Sequence, residues 1–159
     1  MSSVISMHQH LLASGKSLCT AESCTGGRIA ALITSMPGSS DYFRGGIVSY
    51  QTEIKESVLK VDATIIEKYG VVSRETADAM RTCACKVCDA DYAIAITGYA
   101  GPTGGTETDP VGTVYISVGT AEQGITKRVV SQFSERTAIQ DDVAQQAIDL
   151  FNKFLDVEL

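Results

Sequence analysis

The chain has 159 residues, of which 44% are hydrophobic and 20% are charged, and its formal net charge is −6. This length and composition are typical of one globular domain, which we expect to span residues 1–159 without a second domain. The acidic balance argues against direct nucleic-acid binding, since such proteins usually present a basic face to the phosphates. No apolar run approaches the roughly 18 residues of a membrane helix, and no signal peptide is apparent, so we expect a cytoplasmic protein without a membrane partner.

Helices alternate with strands in the first part of the predicted structure. The spacing of apolar residues predicts, in chain order, a helix that ends at Gly15, a strand over 16–21, a helix over 25–36, a strand over 45–50 and a helix over 51–59. Asp62 and Ser73 are good N-cap residues and predict two further helices. The run DYAIAITG at 91–98 is apolar throughout, as is typical of a buried central strand.

The second part begins with a glycine-rich loop, GYAGPTGGTETDP, at 98–110. Two strands, over 111–120 and 125–133, follow it and are most simply an antiparallel hairpin. A last helix is expected to open at Ser134. Helices separate the early strands and a hairpin closes the sheet, so the sequence predicts an α/β fold with a mixed, mainly parallel sheet that has helices on both faces.

Five cysteines are present, at positions 19, 24, 83, 85 and 88. An odd number without framework spacing is typical of a reducing compartment. The cluster CACKVC at 83–88 resembles a metal site, but residues of a helix turn by about 100° each. Cys83 and Cys85 then point to nearly opposite sides, so we interpret these cysteines as structural and expect no bound metal.

Three loops are expected to meet, because ligands collect beyond the carboxyl ends of parallel strands. They cover residues 23–27, 49–55 and 97–106. The first, within TAESCTGGR, precedes a helix whose free N–H groups and dipole attract anions, although Thr25 could also be a simple N-cap. The glycines of the third could cradle a phosphate or an oxyanion, or could merely be flexible. That loop leads into a strand, so it is not a dinucleotide-binding fingerprint.

The nucleophile could be Ser23 or Cys24, and local sequence does not decide between them. Both histidines lie in the first helix, so the usual partner of a serine nucleophile is missing. Lys55 could act as the base if it is desolvated, although sequence pattern alone favours a solvated lysine. Tyr50 could position the proton. In the alternative, Cys24 would form a set with Glu22 and Lys55.

Three motifs together resemble the CinA C-terminal domain family. They are TAESCTGG at 20–27, GGIVSYQTEIK at 45–55 and AITGYAGPTGGTETDPVGTVY at 95–115, and the resemblance covers nearly the whole chain. The family comprises competence/damage-inducible proteins, whose enzymatically characterised members are nicotinamide-nucleotide amidases. The resemblance implies a single-domain three-layer α/β/α sandwich. It also implies hydrolysis of nicotinamide mononucleotide to nicotinate mononucleotide and ammonia, without metal or other cofactor.

The resemblance also implies a serine nucleophile with a lysine partner, which fall on Ser23 and Lys55, supported by Tyr50 and Thr97. The substrate-binding residues are expected in the two glycine loops, namely Thr25, Gly26, Gly27, Gly101, Gly104, Gly105 and Thr106. Arg28 or Arg44 could assist with the phosphate. Two residues depart from the family pattern: Asp109 replaces a usual lysine and Tyr99 a usual branched aliphatic.

Two hypotheses therefore remain at this point. The first is an amidase acting on a small pyridine-nucleotide substrate. The second is a non-catalytic pyridine-nucleotide-binding or interaction module. A homodimer or higher homo-oligomer is expected for an α/β protein of this size.

Overall fold

The computed structural model describes residues 2–158, which form a five-stranded sheet between two layers of helices. The elements, in chain order, are α1 (Ser3–Ser14), β1 (Leu18–Glu22), α2 (Arg28–Thr34), a 3-10 turn (Ser39–Asp41), β2 (Phe43–Val48), α3 (Thr52–Ser57), α4 (Ala63–Tyr69), α5 (Arg74–Cys88), β3 (Tyr92–Gly98), β4 (Thr113–Gly119), β5 (Gly124–Val130) and α6 (Arg136–Val157).

The strand order is β2-β1-β3-β4-β5. β1 pairs in parallel with both β2 and β3, whereas β3 with β4 and β4 with β5 are antiparallel. The predicted mixed sheet and the single-domain α/β/α arrangement are therefore confirmed, with two of the four pairings parallel. The parallel half carries the crossover helices, and its three strands end at the same edge of the sheet.

Alternation along the strands divides the core into two clusters. In β3, Ile94 and Ile96 point to the face covered by α1, α2 and α6, where they pack with Leu18 and Phe151. Their neighbours Ala93 and Ala95 point to the other face. Successive side chains of a strand alternate between its faces, so these alanines face α5. Because alanine is small, α5 can pack close to the sheet.

The long helix α6 is amphipathic. Its inner face buries side chains at helical spacing, including Ile139, Val143, Ala147, Phe151 and Phe154. Within residues 2–158, no helix combines the length and the apolar character needed to cross a membrane.

Most element boundaries differ from the sequence-based expectation by up to three residues: the strands predicted over 16–21, 111–120 and 125–133 and the helix over 51–59 are β1, β4, β5 and α3 with the bounds given above. Three further differences concern segments that contribute residues to the site. The predicted strand over 45–50 begins at Phe43 and ends at Val48, so Ser49 and Tyr50 lie in the loop that follows. Helix α2 begins only at Arg28, because Gly27 adopts a left-handed conformation with φ of 104° that a helix cannot continue. Helix α6 begins at Arg136 rather than at Ser134. The N-caps Asp62 and Ser73 are confirmed, and each accepts a bond from a backbone N–H.

Candidate active site

The sheet register brings the first and second predicted loops together. Glu22, the last residue of β1, is level with Val48 on one side and Ile96 on the other. Just beyond this line, the Ser49 N–H donates to the Glu22 carbonyl at 2.8 Å and the Ser23 N–H donates to the Ile96 carbonyl at 3.2 Å. The backbone thus fixes Ser23 beside the start of the 49–55 loop, as the parallel arrangement predicts.

Lys55 turns back from the short helix α3 and reaches Ser23. Its Nζ lies 2.9 Å from the Ser23 Oγ, 2.5 Å from the Ser49 carbonyl oxygen and 3.2 Å from the Tyr50 carbonyl oxygen. The side chain is completely buried. Sequence pattern alone favours a solvated lysine here, and the structure shows that interpretation to be wrong.

Burial makes the Lys55 ammonium easier to deprotonate. Desolvation disfavours the ammonium and lowers the pKa of Lys55 from 10.5 to about 8. Two of the three partners of Nζ are carbonyl oxygens, which can only accept hydrogen bonds. A neutral amine would therefore keep its two hydrogens on the carbonyls of Ser49 and Tyr50. Its lone pair would face the Ser23 hydroxyl, which is the arrangement that a general base requires.

The turn that carries Ser23 is held by the buried carboxylate of Glu22. It accepts hydrogen bonds from the Thr25 hydroxyl at 2.7 Å and from the N–H groups of Ile29 and Ala30 at 2.9 Å each. Glu22 thus caps α2, the role that sequence reasoning gave to Thr25. The carboxylate fills the positive end of the helix, so this end does not offer the free anion site that the sequence suggested.

Cys24 lies close enough to Lys55 for their charges to interact, but its thiol is not activated. Its side chain is buried and belongs to the core cluster on the α6 side of the sheet. Desolvation raises the pKa of its thiol to about 12, so the thiol stays protonated at neutral pH. Both oxygens of Glu22 are occupied by α2 and Thr25. The alternative set of Cys24, Glu22 and Lys55 is therefore not assembled.

Ser23 opens onto a cavity of about 570 Å³, a volume within the usual range for small-molecule sites. Tyr50 and Thr97 also line it, so the predicted supporting residues are at the site. Thr97 is buried and its hydroxyl donates to the Val71 carbonyl at 3.0 Å, which ties the strand end to the segment between α4 and α5. That segment supplies a wall of the cavity that sequence reasoning did not anticipate.

Two charged side chains line the cavity. The Arg136 guanidinium donates to the Tyr50 hydroxyl at 2.6 Å and to the Gly101 carbonyl at 2.5 Å. Asp109 is the negatively charged residue of the two. Its carboxylate accepts hydrogen bonds from the Arg128 Nε at 2.9 Å and from the Tyr115 hydroxyl. Arg136 was missed at the sequence level. The sequence feature that could have revealed Arg136 is a positive charge in the first turn of a helix. The helix dipole disfavours a cation there unless another partner compensates.

The predicted substrate-binding residues are only partly at the cavity. Gly101 and Thr106 line it, as does Tyr99, whereas Gly104 and Gly105 lie in the same loop but outside the cavity wall. The other three, Thr25, Gly26 and Gly27, do not line the cavity either.

The two arginines suggested for the phosphate are engaged elsewhere. Arg28 pairs with Asp141 at 3.0 Å, and the Arg44 Nε donates to the Cys88 carbonyl at 2.6 Å. Neither lines the cavity that Ser23 faces. Across residues 2–158, no group of three or more His, Cys, Asp or Glu side chains is arranged to hold a metal ion.

The fold and the site define a class of three-layer α/β/α proteins with a buried serine–lysine pair at the carboxyl edge of a mixed sheet. Residues 2–155 match the family described as the CinA C-terminal domain. The chain therefore belongs to the CinA C-terminal domain family.

Named relatives agree with this assignment. A CinA-like protein of Synechocystis sp. is 47% identical over 122 residues, which are 77% of this chain and 29% of that protein. A CinA-like protein of Mycobacterium avium is 51% identical over 117 residues, 74% of this chain and 27% of that protein. The chain thus spans less than a third of the length of these two relatives.

Solved structures of similar size match the whole fold. The competence damage-inducible protein A of Klebsiella pneumoniae superposes with a TM-score of 0.92 at 30% identity, covering 98% of this chain and 96% of that one. The competence/damage inducible protein CihA of Agrobacterium tumefaciens has a TM-score of 0.90 at 30% identity, covering 99% and 94%. These matches support the α/β/α architecture independently of the site.

If Glu22 caps α2, replacing it should lower the free energy of unfolding. Glu22→Ala leaves the buried N–H groups of Ile29 and Ala30 without acceptors, and we expect a loss of about 2–4 kcal/mol in the free energy of unfolding. Glu22→Gln is the matched control, because its amide oxygen can still accept one of these bonds and the loss should be clearly smaller. Urea denaturation followed by circular dichroism measures both. Equal stability of Glu22→Ala and the unchanged protein would contradict the capping role.

Proposed function

We propose that this protein is a nicotinamide-nucleotide amidohydrolase, which converts nicotinamide mononucleotide and water to nicotinate mononucleotide and ammonia through Ser23 and Lys55. The observation that carries the proposal is the 2.9 Å contact between the Lys55 Nζ and the Ser23 Oγ, with the lysine completely buried. Membership of the CinA C-terminal domain family supports it. A serine with a desolvated lysine is an established way to activate a hydroxyl without histidine.

In the first step, neutral Lys55 takes the proton of the Ser23 hydroxyl while the Oγ attacks the carbon of the substrate amide. A C–O bond forms, and the carbonyl electrons move to the oxygen as an oxyanion. The pKa of Lys55, lowered to about 8, leaves a useful fraction of the amine neutral near physiological pH. Its bonds to the carbonyls of Ser49 and Tyr50 hold the amine in place during the transfer.

The oxyanion needs hydrogen-bond donors beside Ser23. No backbone carbonyl in residues 2–158 accepts a hydrogen bond from the N–H of Cys24, which follows the nucleophile directly. A backbone N–H next to a nucleophilic serine is a common oxyanion donor in hydrolases. We assign this role to Cys24, whose backbone matters here while its thiol does not.

Collapse of the oxyanion breaks the C–N bond, and Lys55 returns its proton to the departing nitrogen, which leaves as ammonia. Water then attacks the acyl group on Ser23. Lys55 takes a proton from this water and passes it back to the serine oxygen as the acid is released. The balance is one water consumed and one ammonia formed, with no metal or redox partner required.

The cavity has the chemistry to hold a pyridine nucleotide. Tyr50, Tyr69 and Tyr99 supply aromatic surface for a flat ring, and the hydroxyls of Thr103, Thr106 and Thr108 can bond to ribose. Arg136 is the cation that lines the cavity, and an arginine fork suits a phosphate. We therefore place the substrate phosphate at Arg136 rather than at the end of α2.

The nucleophile is tested by ammonia release from nicotinamide mononucleotide. Ser23→Ala removes the attacking oxygen and should lower kcat by about 10⁴-fold or more, because every later step depends on the acyl-enzyme. Cys24→Ala is the matched neighbouring control and should keep kcat within about threefold, since it changes only a packed, protonated side chain.

The outcomes separate the two hypotheses. If the unchanged protein releases no ammonia above background yet binds the nucleotide, it is a binding module and the amidase proposal fails. If Cys24→Ala is inactive while Ser23→Ala is active, the assignment of the nucleophile is wrong.

The phosphate site is tested with two substrates. Arg136→Gln should lower kcat/KM for nicotinamide mononucleotide by about 10- to 100-fold, the usual effect of losing a hydrogen bond between charged groups. Nicotinamide riboside, which lacks the phosphate, should lose clearly less. Equal losses for both substrates would mean that Arg136 acts only by holding Tyr50 and Gly101, and would contradict a phosphate contact.

A further inference from the structure

A group of thiols lies far from Ser23, at the opposite end of β1. Cys19 is the second residue of this strand and is completely buried, in the core cluster between the sheet and α5. Cys85 is a buried member of the same cluster, and Cys88 packs against it while remaining partly exposed. The catalytic proposal uses none of these three side chains.

Cys85 and Cys88 form a C-x-x-C pair, CKVC, in the last turn of α5. Residues three apart on a helix lie on the same face, with Cβ atoms about 5–6 Å apart. A disulfide needs a Cβ separation of roughly 3.5–4.5 Å, so the turn must tighten to form one. The helix ends at Cys88 and Asp89 is already left-handed, so only the final turn has to move.

The surroundings of Cys88 favour its thiolate. The neighbouring Cys19 thiol and the positive charge of Arg44 lower the pKa of Cys88 to about 7, against the opposing effect of burial. Arg44 is fixed beside it, because its Nε donates to the Cys88 carbonyl at 2.6 Å. The pKa of Cys85 is also lowered, first by the Cys19 thiol and then by Arg81, against the opposing effects of burial and Glu122.

Cys19 is the completely buried thiol of the three-cysteine group. The pKa of its own thiol is strongly raised by its contacts with Cys85 and Cys88 and by burial, so it keeps its proton. A cavity of about 360 Å³ reaches Cys85 and is lined by charged side chains of both signs, Lys16, Lys86, Asp89, Asp91 and Glu122. Cys88 does not line it, and a small oxidant reaches this residue through its own partly exposed surface. The three thiols thus differ in protonation and in access.

We propose that Cys85 and Cys88 are a redox-active dithiol that hydrogen peroxide oxidises to an intramolecular disulfide, with Cys88 as the attacking thiolate. In the first step the Cys88 sulfur attacks a peroxide oxygen, the O–O bond breaks, and a sulfenic acid and hydroxide form. The Cys85 sulfur then attacks the Cys88 sulfur, an S–S bond forms and water leaves. Two thiols lose two electrons and one peroxide is reduced to two waters.

Cys83 is a matched control within the same helix. It is two residues from Cys85 on another side of the helix, its Sγ lies 3.4 Å from the Lys60 carbonyl oxygen, and burial raises its pKa. Because the pKa of Cys88 is lowered and that of Cys83 is raised, a larger fraction of Cys88 is thiolate at pH 7. Cys88 should therefore be alkylated by iodoacetamide faster than Cys83, although the lower intrinsic nucleophilicity of a low-pKa thiolate reduces the difference.

The disulfide is tested by mass spectrometry on the full chain. The protein is treated with hydrogen peroxide, the reaction is stopped with catalase, free thiols are blocked, and trypsin separates Cys85 from Cys88 at Lys86. We expect a cross-linked pair of peptides joined through Cys85 and Cys88 that dithiothreitol releases. Cys83→Ser should leave the cross-link unchanged, whereas Cys85→Ser should leave Cys88 as a sulfenic acid that dimedone captures.

Three results would overturn the proposal. They are the absence of a cross-link in protein that keeps its fold, a cross-link through Cys83 or Cys19 in place of Cys85, and alkylation of Cys88 no faster than that of Cys83. The alkylation rates are measured on the unchanged protein, so a variant that fails to fold cannot hide the answer.

Discussion

The rest of the site depends on one buried amine. Lys55 lies out of contact with water, with its Nζ between two backbone carbonyls and the Ser23 hydroxyl. A charged lysine in such a place is unfavourable unless it is paired, and no carboxylate is within salt-bridge distance of it among residues 2–158. The protein meets this constraint by weakening the charge, which lowers the pKa of Lys55 to about 8. The desolvation of the Lys55 amine is unfavourable for stability, but it also provides a neutral amine that can act as a general base.

Backbone geometry then fixes the position of Ser23 relative to the loop that carries Lys55. Parallel pairing of β1 with β2 and β3 puts Ser23 and Ser49 at one edge, and the Glu22 carbonyl and carboxylate bind both loops that meet there. Catalytic groups are held best when their own supports are rigid. Glu22 therefore contributes by position and not by chemistry: it fixes the turn that presents Ser23 and closes the end of α2 to anions.

Sequence reasoning could find the edge of the sheet where the site lies, because strand–helix alternation predicts parallel strands and parallel strands end together. It could not separate Ser23 from Cys24, because β1 ends at Glu22 and both residues lie in the turn that follows, where strand alternation no longer assigns a face. The structure places the Cys24 side chain in the cluster on the α6 side. Local pattern could not find the burial of Lys55, because α3 is short and polar and its burial comes from tertiary contacts. Nor could it find the capping role of Glu22, since this residue reaches N–H groups seven and eight positions ahead, beyond the usual capping signals.

The pH dependence of kcat/KM for ammonia release tests the central claim most directly, because this ratio reports the ionisation of groups in the free enzyme. If neutral Lys55 is the base, kcat/KM should rise about tenfold per pH unit on the acid side and level off above a midpoint near 8, the pKa that burial gives to Lys55. A rise that continues to an ordinary lysine pKa near 10.5, or a flat profile between about pH 6 and 9, would contradict the account.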